Sequence, residues 1–321
     1  MSIDKLTQTI KELPKDASSR WSEAGIICIS RCEPDPIIFR GNTSLLQADQ
    51  STLWFRWFME GLAAPESFAH DTHKTRFHVF ETVFNGIDSL FSYEDKIRKQ
   101  ALASEISDHI YEEVELIRKN IKRDHATKEQ KRELIKKHSK PHCYLCGYEF
   151  TKEAIDAFLG VKGRNPIQLP LTLDIFRPRG LVERDIKIEI EHVIPVAKGG
   201  HGFENLELAC GWCNKYKGAK HSIYDAPSTT SKVNYSIGDY SLHELPEPFW
   251  SIRMLGVAPR CQHPSGCTAT TLTNEIFISL RDWNGSPNPT NLRFYCKQHD
   301  EIGPYRFMPR EKIEKIWKGR K

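Results

Sequence analysis

The stretch Ile188-Glu-Ile-Glu191-His192-Val-Ile-Pro195-Val-Ala-Lys-Gly199-Gly200, followed by Asn205-Leu206 and then Cys210-Gly-Trp-Cys213-Asn214 up to Gly218, decides the fold. Ile188, Ile190 and Val193 mark a strand, Lys-Gly-Gly marks a turn, and the residues from Gly211 onward mark a helix. A compact β-β-α unit is predicted. Its C-x2-C pair has a partner upstream, Cys143-Tyr-Leu-Cys146-Gly147. Two such pairs supply four thiolates, the number that closes a tetrahedral structural zinc, and glycines at 147 and 211 suit the tight turns of such knuckles. Between Cys146 and Cys210 lie 63 residues. The stretch 151–186, inserted between the two knuckles, reads as a helix from Thr151 to Leu159 and then a Pro/Gly/Arg-rich stretch, Gly160 to Arg184. The insertion is a candidate for target reading or partner contact, or a plain surface addition.

A second cluster, Cys261-Gln-His263-Pro-Ser-Gly-Cys267 with Cys296-Lys-Gln-His299, offers five ligands for four places. Cys296-x2-His299 is a familiar half-site, whereas His263 stands only two residues from Cys261. Cys261, Cys267, Cys296 and His299 are therefore the expected set for a second structural zinc. The 47 residues between Cys213 and Cys261 leave each cluster able to close its own tetrahedron.

The β-β-α stretch resembles the HNH nuclease family, in the variant whose ββα-metal motif is embedded in a four-cysteine zinc site and whose third signature residue is Asn. The likeness covers roughly residues 141–220 and rests on the order acidic-His, Gly-Gly, Asn-Leu, C-x2-C-Asn-x2-Lys. It implies that His192 activates water, that Glu191 and Asn214 hold one divalent ion, Mg²⁺ or Mn²⁺, and that Asn205 pins the loop that orients the histidine. The chemistry is consistent: phosphodiester hydrolysis needs a base for water, a cation on the pentacovalent phosphate and a means of steadying the leaving oxygen. A carboxylate and an amide oxygen suit a hard cation. Lys215, Lys217 and Lys220 follow where phosphates would pass, as contacts to nucleic acid or as ordinary solvated lysines. The implied activity is metal-dependent hydrolysis of DNA, in a setting of restriction or antiphage defence. The alternatives are a structure-specific or RNA-directed nuclease, and a nucleic-acid-binding subunit with a decayed site.

The rest of the 321 residues frames this centre. Hydrophobic residues at 39% and charged ones at 27% exclude a wholly disordered chain. No apolar run reaches the length of a membrane span, and the first residues lack a secretory h-region, so no membrane partner and a cytoplasmic location are expected. In that compartment nine cysteines read as ligands and free thiols rather than disulfides. Residues 1–140 read as helical. The expected helices are one beginning at Thr43 or Ser44 with Leu53, Trp54, Trp57, Phe58 and Leu62 in its core stripe, one after Lys74 with Phe77, Phe80, Val83, Phe84 and Ile87, and one from Tyr93 carrying Ile97, Leu102, Ile106, Ile110, Val114, Ile117 and Ile121. Gly25 to Ile29 reads as a short strand. Cys28 and Cys32 with His70, His73 and His78 form a weak candidate metal set. Arg118 to Lys140 carries ten basic against three acidic residues, a local excess fit for phosphates or for a solvated face. The expected class is α+β in three parts: a helical region 1–140 for sensing, DNA binding or contact with a second copy or defence partner, a nuclease domain 141–222, and a zinc-binding module 223–321.

Overall fold

The computed structural model describes residues 3–13, 22–32, 34–120, 126–193 and 203–319. It forms two compact units, 1–47 and 48–321. Helices α1 (Ile3–Glu12) and α2 (Glu23–Ser30) belong to the first. The strand expected at Gly25 to Ile29 is instead the middle of α2. Ser22 caps that helix by accepting from the Gly25 amide at 3.1 Å, and Glu23 opens its first turn. A cap plus a favourable first-turn carboxylate outweighs the strand preference of three isoleucines.

Helix α3 spans Thr43–Leu62, followed by α4 (Pro65–Ala69), α5 (Arg76–Leu90), α6 (Lys96–Asn120) and α7 (Lys128–Lys136). Val79, Val83 and Ile87 of α5 meet Ala103, Ile106, Ile110 and Val114 of α6 in one buried cluster with Phe68. The four-residue steps of α6 are thus a core face, although Ile97 and Leu102 lie outside it and are exposed, as is Phe77 of α5. Ile121 lies outside the described residues. The stripe of α3 is the larger departure: Trp54 and Trp57 are each 58% exposed and Phe58 is 41% exposed. Helical periodicity states that residues share a face and says nothing of what covers it.

The remaining elements are α8 (Lys152–Leu159), β1 (Thr172–Asp174), α9 (Glu183–Ile186), β2 (Ile188–His192), β3 (Leu206–Cys210), α10 (Gly211–Lys217), β4 (Ser231–Ile237), β5 (Tyr240–Leu245), α11 (Pro248–Val257), β6 (Ile276–Leu280), β7 (Leu292–Cys296), α12 (Gly303–Arg306), β8 (Phe307–Pro309) and α13 (Arg310–Lys318). The strands pair antiparallel as four two-stranded ribbons, β1 with β8, β2 with β3, β4 with β5 and β6 with β7. The class is α+β. Ribbons this small are marginal alone and need packing partners or metal clips.

The insertion supplies such packing. Its β1 pairs with β8 near the C-terminus, and Leu173 to Gly180 are buried. Arg306, fully buried, donates to Asp174, Asp300 and the Ile278 carbonyl, while Trp317 donates to the Ile175 carbonyl at 2.8 Å. Among the described residues no helix is long and apolar enough to cross a membrane.

Candidate active site and zinc sites

Two groups among the described residues can hold a metal ion, and they are the two predicted sets. The ligand atoms of Cys143, Cys146, Cys210 and Cys213 all lie within 4.8 Å of one another, and all four residues are buried. In the first knuckle the Gly147 amide donates to the Cys143 carbonyl at 2.8 Å, closing a turn in which Gly147 has φ +75°. A Cβ on Gly147 would stand 2.0 Å from the Asn274 carbonyl oxygen, so only glycine fits. In the second knuckle a Cβ on Gly211 would stand 1.9 Å from the carbonyl oxygen of Arg184.

Sequence reasoning missed Arg179. Its guanidinium donates to the Cys146 sulfur at 2.9 Å, stacks on Tyr148 and pairs with Glu275. Burial opposes a Cys146 thiolate, yet hydrogen bonds from the other three thiols and the charge of Arg179 bring its pKa well below that of a free thiol. Four thiolates around a dication leave net negative charge, which a buried arginine offsets. Nothing near Arg179 in sequence signals this role, since Cys146 is 33 residues away.

In the second group the Nδ1 of His299 lies 3.4 Å from the Cys296 sulfur and 3.6 Å from that of Cys261, while Cys267 and Cys296 sulfurs are 3.9 Å apart. His263 lies outside the set. Its ring stacks on that of His299 with centroids 4.0 Å apart and 7° between planes. Cys28, Cys32, His70, His73 and His78 form no such group, and the His78 Nδ1 instead accepts from the Thr75 amide as part of a helix cap.

The β-β-α unit is present as β2, β3 and α10, with Ile188 opposite Cys210 and His192 opposite Leu206. The turn expected at Lys198 to Gly200, with Pro195, lies outside the described residues. Alternation along β2 puts Glu189 and Glu191 on one face of the ribbon, and α10 meets that face. Asn214 donates from Nδ2 to Glu189 at 2.5 Å, and one turn later Lys217 donates from Nζ to Glu191 at 2.8 Å. Glu191 is buried, and that burial raises its pKa despite the opposing charge of Lys217. His192 ends β2, next to the loop. The Val193 amide donates to the Asn205 carbonyl at 2.9 Å, so Asn205 ties the two ends of that loop through its backbone.

Lys217 departs from its expected place. It is buried, and besides Glu191 it donates to the carbonyls of His192 (2.5 Å) and Val193 (3.0 Å). An ammonium spending three donors inside the protein is not an exposed phosphate contact. Lys215 is exposed, its ammonium 5.0 Å from the Tyr216 ring, while Lys220 donates to the Tyr216 carbonyl and lies over Phe249.

Glu189 was also missed by sequence reasoning, although its i,i+2 spacing from Glu191 on a strand would have flagged it. Arg184 holds it through Nε to Oε1 at 2.7 Å and Nη2 to Oε2 at 3.4 Å. On this face the chain gathers two carboxylates and an amide, oxygen donors of the kind a hard divalent ion takes. No curated protein and no solved structure matches the chain. A family model, HNH endonuclease, matches residues 182–220. That match falls on the ribbon and helix that carry Glu191, His192 and Asn214, and over this segment the chain is similar to HNH endonuclease domains.

Proposed function

We propose that this chain is a metal-dependent endonuclease that hydrolyses phosphodiester bonds of DNA. The observation that supports the reading is the face shared by β2 and α10, on which Asn214 meets Glu189 and Lys217 meets Glu191, with His192 the next residue of β2 at the end that leads into the loop. His192 takes the proton from water. Glu191 and Asn214 offer oxygen donors to one Mg²⁺ or Mn²⁺ ion, which supplies electrophilic stabilisation of the phosphate charge when bound. Asn205 fixes the loop that carries the histidine. Two zinc ions, one per cysteine cluster, act structurally. Lys215 and Lys220 face the nucleic acid, joined by α7, where Arg132 is 63% exposed and Lys128 and Lys136 flank it four residues to either side. The division into a helical region 1–140, a nuclease domain 141–222 and a zinc module 223–321 belongs to the same reading. So does a cytoplasmic role in restriction or antiphage defence, with the exposed aromatic residues of α3 toward a second copy or a defence partner.

His192→Ala tests this reading directly. Cleavage of plasmid or phage DNA in Mg²⁺ or Mn²⁺ should fall at least about 100-fold, with zinc content and DNA binding retained. Near wild-type cutting at saturating metal would remove His192 from the mechanism. One observation favours a second reading, a binding subunit without catalysis: Lys217 already neutralises Glu191. A chain of that kind shifts DNA in a gel and never cuts it.

A further inference from the structure

The amide of Asn214 can present either of two opposite faces to a ligand, an accepting oxygen or a donating nitrogen. What decides between them is the partner it finds. A carboxylate only accepts, so the Nδ2 group must face Glu189 and the Oδ1 atom must turn away from it. Glu189 is in turn held by two nitrogens of Arg184 and cannot swing freely. The backbone of the same Arg184 seats the start of α10, because its carbonyl oxygen occupies the space where any side chain at Gly211 would begin. Asn214 lies one turn along that helix. Arg184 therefore sets both the position of Asn214, through Gly211, and the orientation of its amide, through Glu189.

We propose that Glu189 is a positioning residue that fixes the Asn214 amide with its oxygen toward the catalytic divalent ion. The proposal rests on the nuclease reading above for the ion, and on geometry alone for the amide. Without Glu189, nothing on this face holds the amide of Asn214 in the orientation that turns its oxygen, rather than its NH2 group, toward a cation. Groups that orient metal ligands in this way contribute about 10- to 100-fold in metal affinity. Arg184 and Glu189 share this one role, which accounts for an ion pair in which the arginine is 63% exposed and of little value to stability.

The test compares Glu189→Met, which removes the acceptor at similar length, with Glu189→Gln, which keeps an acceptor oxygen. Zinc content and melting temperature establish folding, and Arg184→Met serves as a second variant acting through the same carboxylate. Two readouts are taken on zinc-loaded protein: the side-chain amide resonances of Asn214, assigned by their loss in Asn214→Asp, and Mn²⁺ affinity by calorimetry. The wild type should show one Nδ2 proton shifted downfield and protected from exchange. Glu189→Met should lose that signature and weaken Mn²⁺ about tenfold or more, with Arg184→Met changing both in the same direction. Glu189→Gln should keep the signature and stay within about threefold. An amide signature unchanged in Glu189→Met overturns the positioning role whatever the chain's activity is. Loss of the signature with Mn²⁺ affinity unchanged places the failure in the metal reading instead, and overturns the proposal that the amide serves an ion. Equal damage from Gln and Met assigns Glu189 a charge role and likewise overturns it.

Discussion

Replacing Lys217 by Met would keep the length of the side chain and remove its charge from the interior, leaving Glu191 buried without a counter-charge. Breaking a buried pair from one side costs about 3–5 kcal/mol in general. Here the cost has a ceiling, because Glu191 can take up a proton instead. Its pKa already stands above the ordinary value of 4.5 through burial, even with Lys217 pulling it down, and loss of Lys217 raises it further. Holding the carboxyl protonated costs about 1.4 kcal/mol for each pH step above the ordinary value. The ceiling on this pH-dependent part is therefore about 3.4 kcal/mol at pH 7 and about 0.7 kcal/mol at pH 5; loss of the bonds to the His192 and Val193 carbonyls adds equally at both. The sign follows from proton binding. The folded variant holds a proton that the unfolded chain releases, so its stability falls as pH rises from the ordinary carboxylate value through the raised folded one. The loss is complete above it. For a unit this large, each kcal/mol shifts melting by about 2–4 °C, so the pH-dependent part of the Lys217→Met deficit should be on the order of 10 °C at pH 7 and about 3 °C at pH 5. Thermal melting of zinc-loaded protein at the two pH values measures this. Added Mn²⁺ should raise the melting point of the variant more than that of the wild type, since the ion replaces the missing positive charge. Equal melting of the two proteins at pH 7, or a deficit as large at pH 5, would refute the reasoning.

The two cysteine clusters should separate in elemental analysis. Wild type should hold two zinc ions per chain, and Cys296→Ser one, with proteolysis confined to the residues around β6 and β7. Cys146→Ser should instead give insoluble or protease-sensitive protein, because zinc binding there is itself folding free energy; soluble protein with an unaltered melt would contradict a structural role. Gly211→Ala puts a methyl 1.9 Å from the Arg184 carbonyl oxygen, a backbone atom that cannot step aside, so a loss above the usual ~1–3 kcal/mol of overpacking is expected, read as a lower denaturation midpoint. A midpoint within error of wild type would show that α10 is not seated on Arg184.

What could be read from the sequence was whatever chemistry ties to fixed spacing. Two C-x2-C pairs and a C-x2-H half-site admit few metal sets, and the structure gathers those residues, with His263 outside the set and its ring stacked on that of His299. The β-β-α unit was legible for the same reason. Features that depend on which side of an element is covered were not. Trp54 and Trp57 recur at a helical step as core residues do, yet they are exposed, because a period is the same whether a face meets the interior or a partner. Lys217 shows the converse. A lysine at the end of a nuclease helix reads as a phosphate contact, but its three-residue step from Asn214 puts it on the face that α10 turns toward β2, and there a buried glutamate and two carbonyls take all its donors. Arg179 and Arg306 lay further out of reach. The first answers to a thiol 33 residues away, and the second, besides Asp300 six residues before it, to a carboxylate 132 residues away. Local pattern identifies a metal ligand by its own chemistry; the cation beside it is chosen by the tertiary fold, so an insertion open in the sequence to target reading, partner contact or a plain surface addition carries the buried Arg177 and Arg179, the latter donating to the Cys146 sulfur.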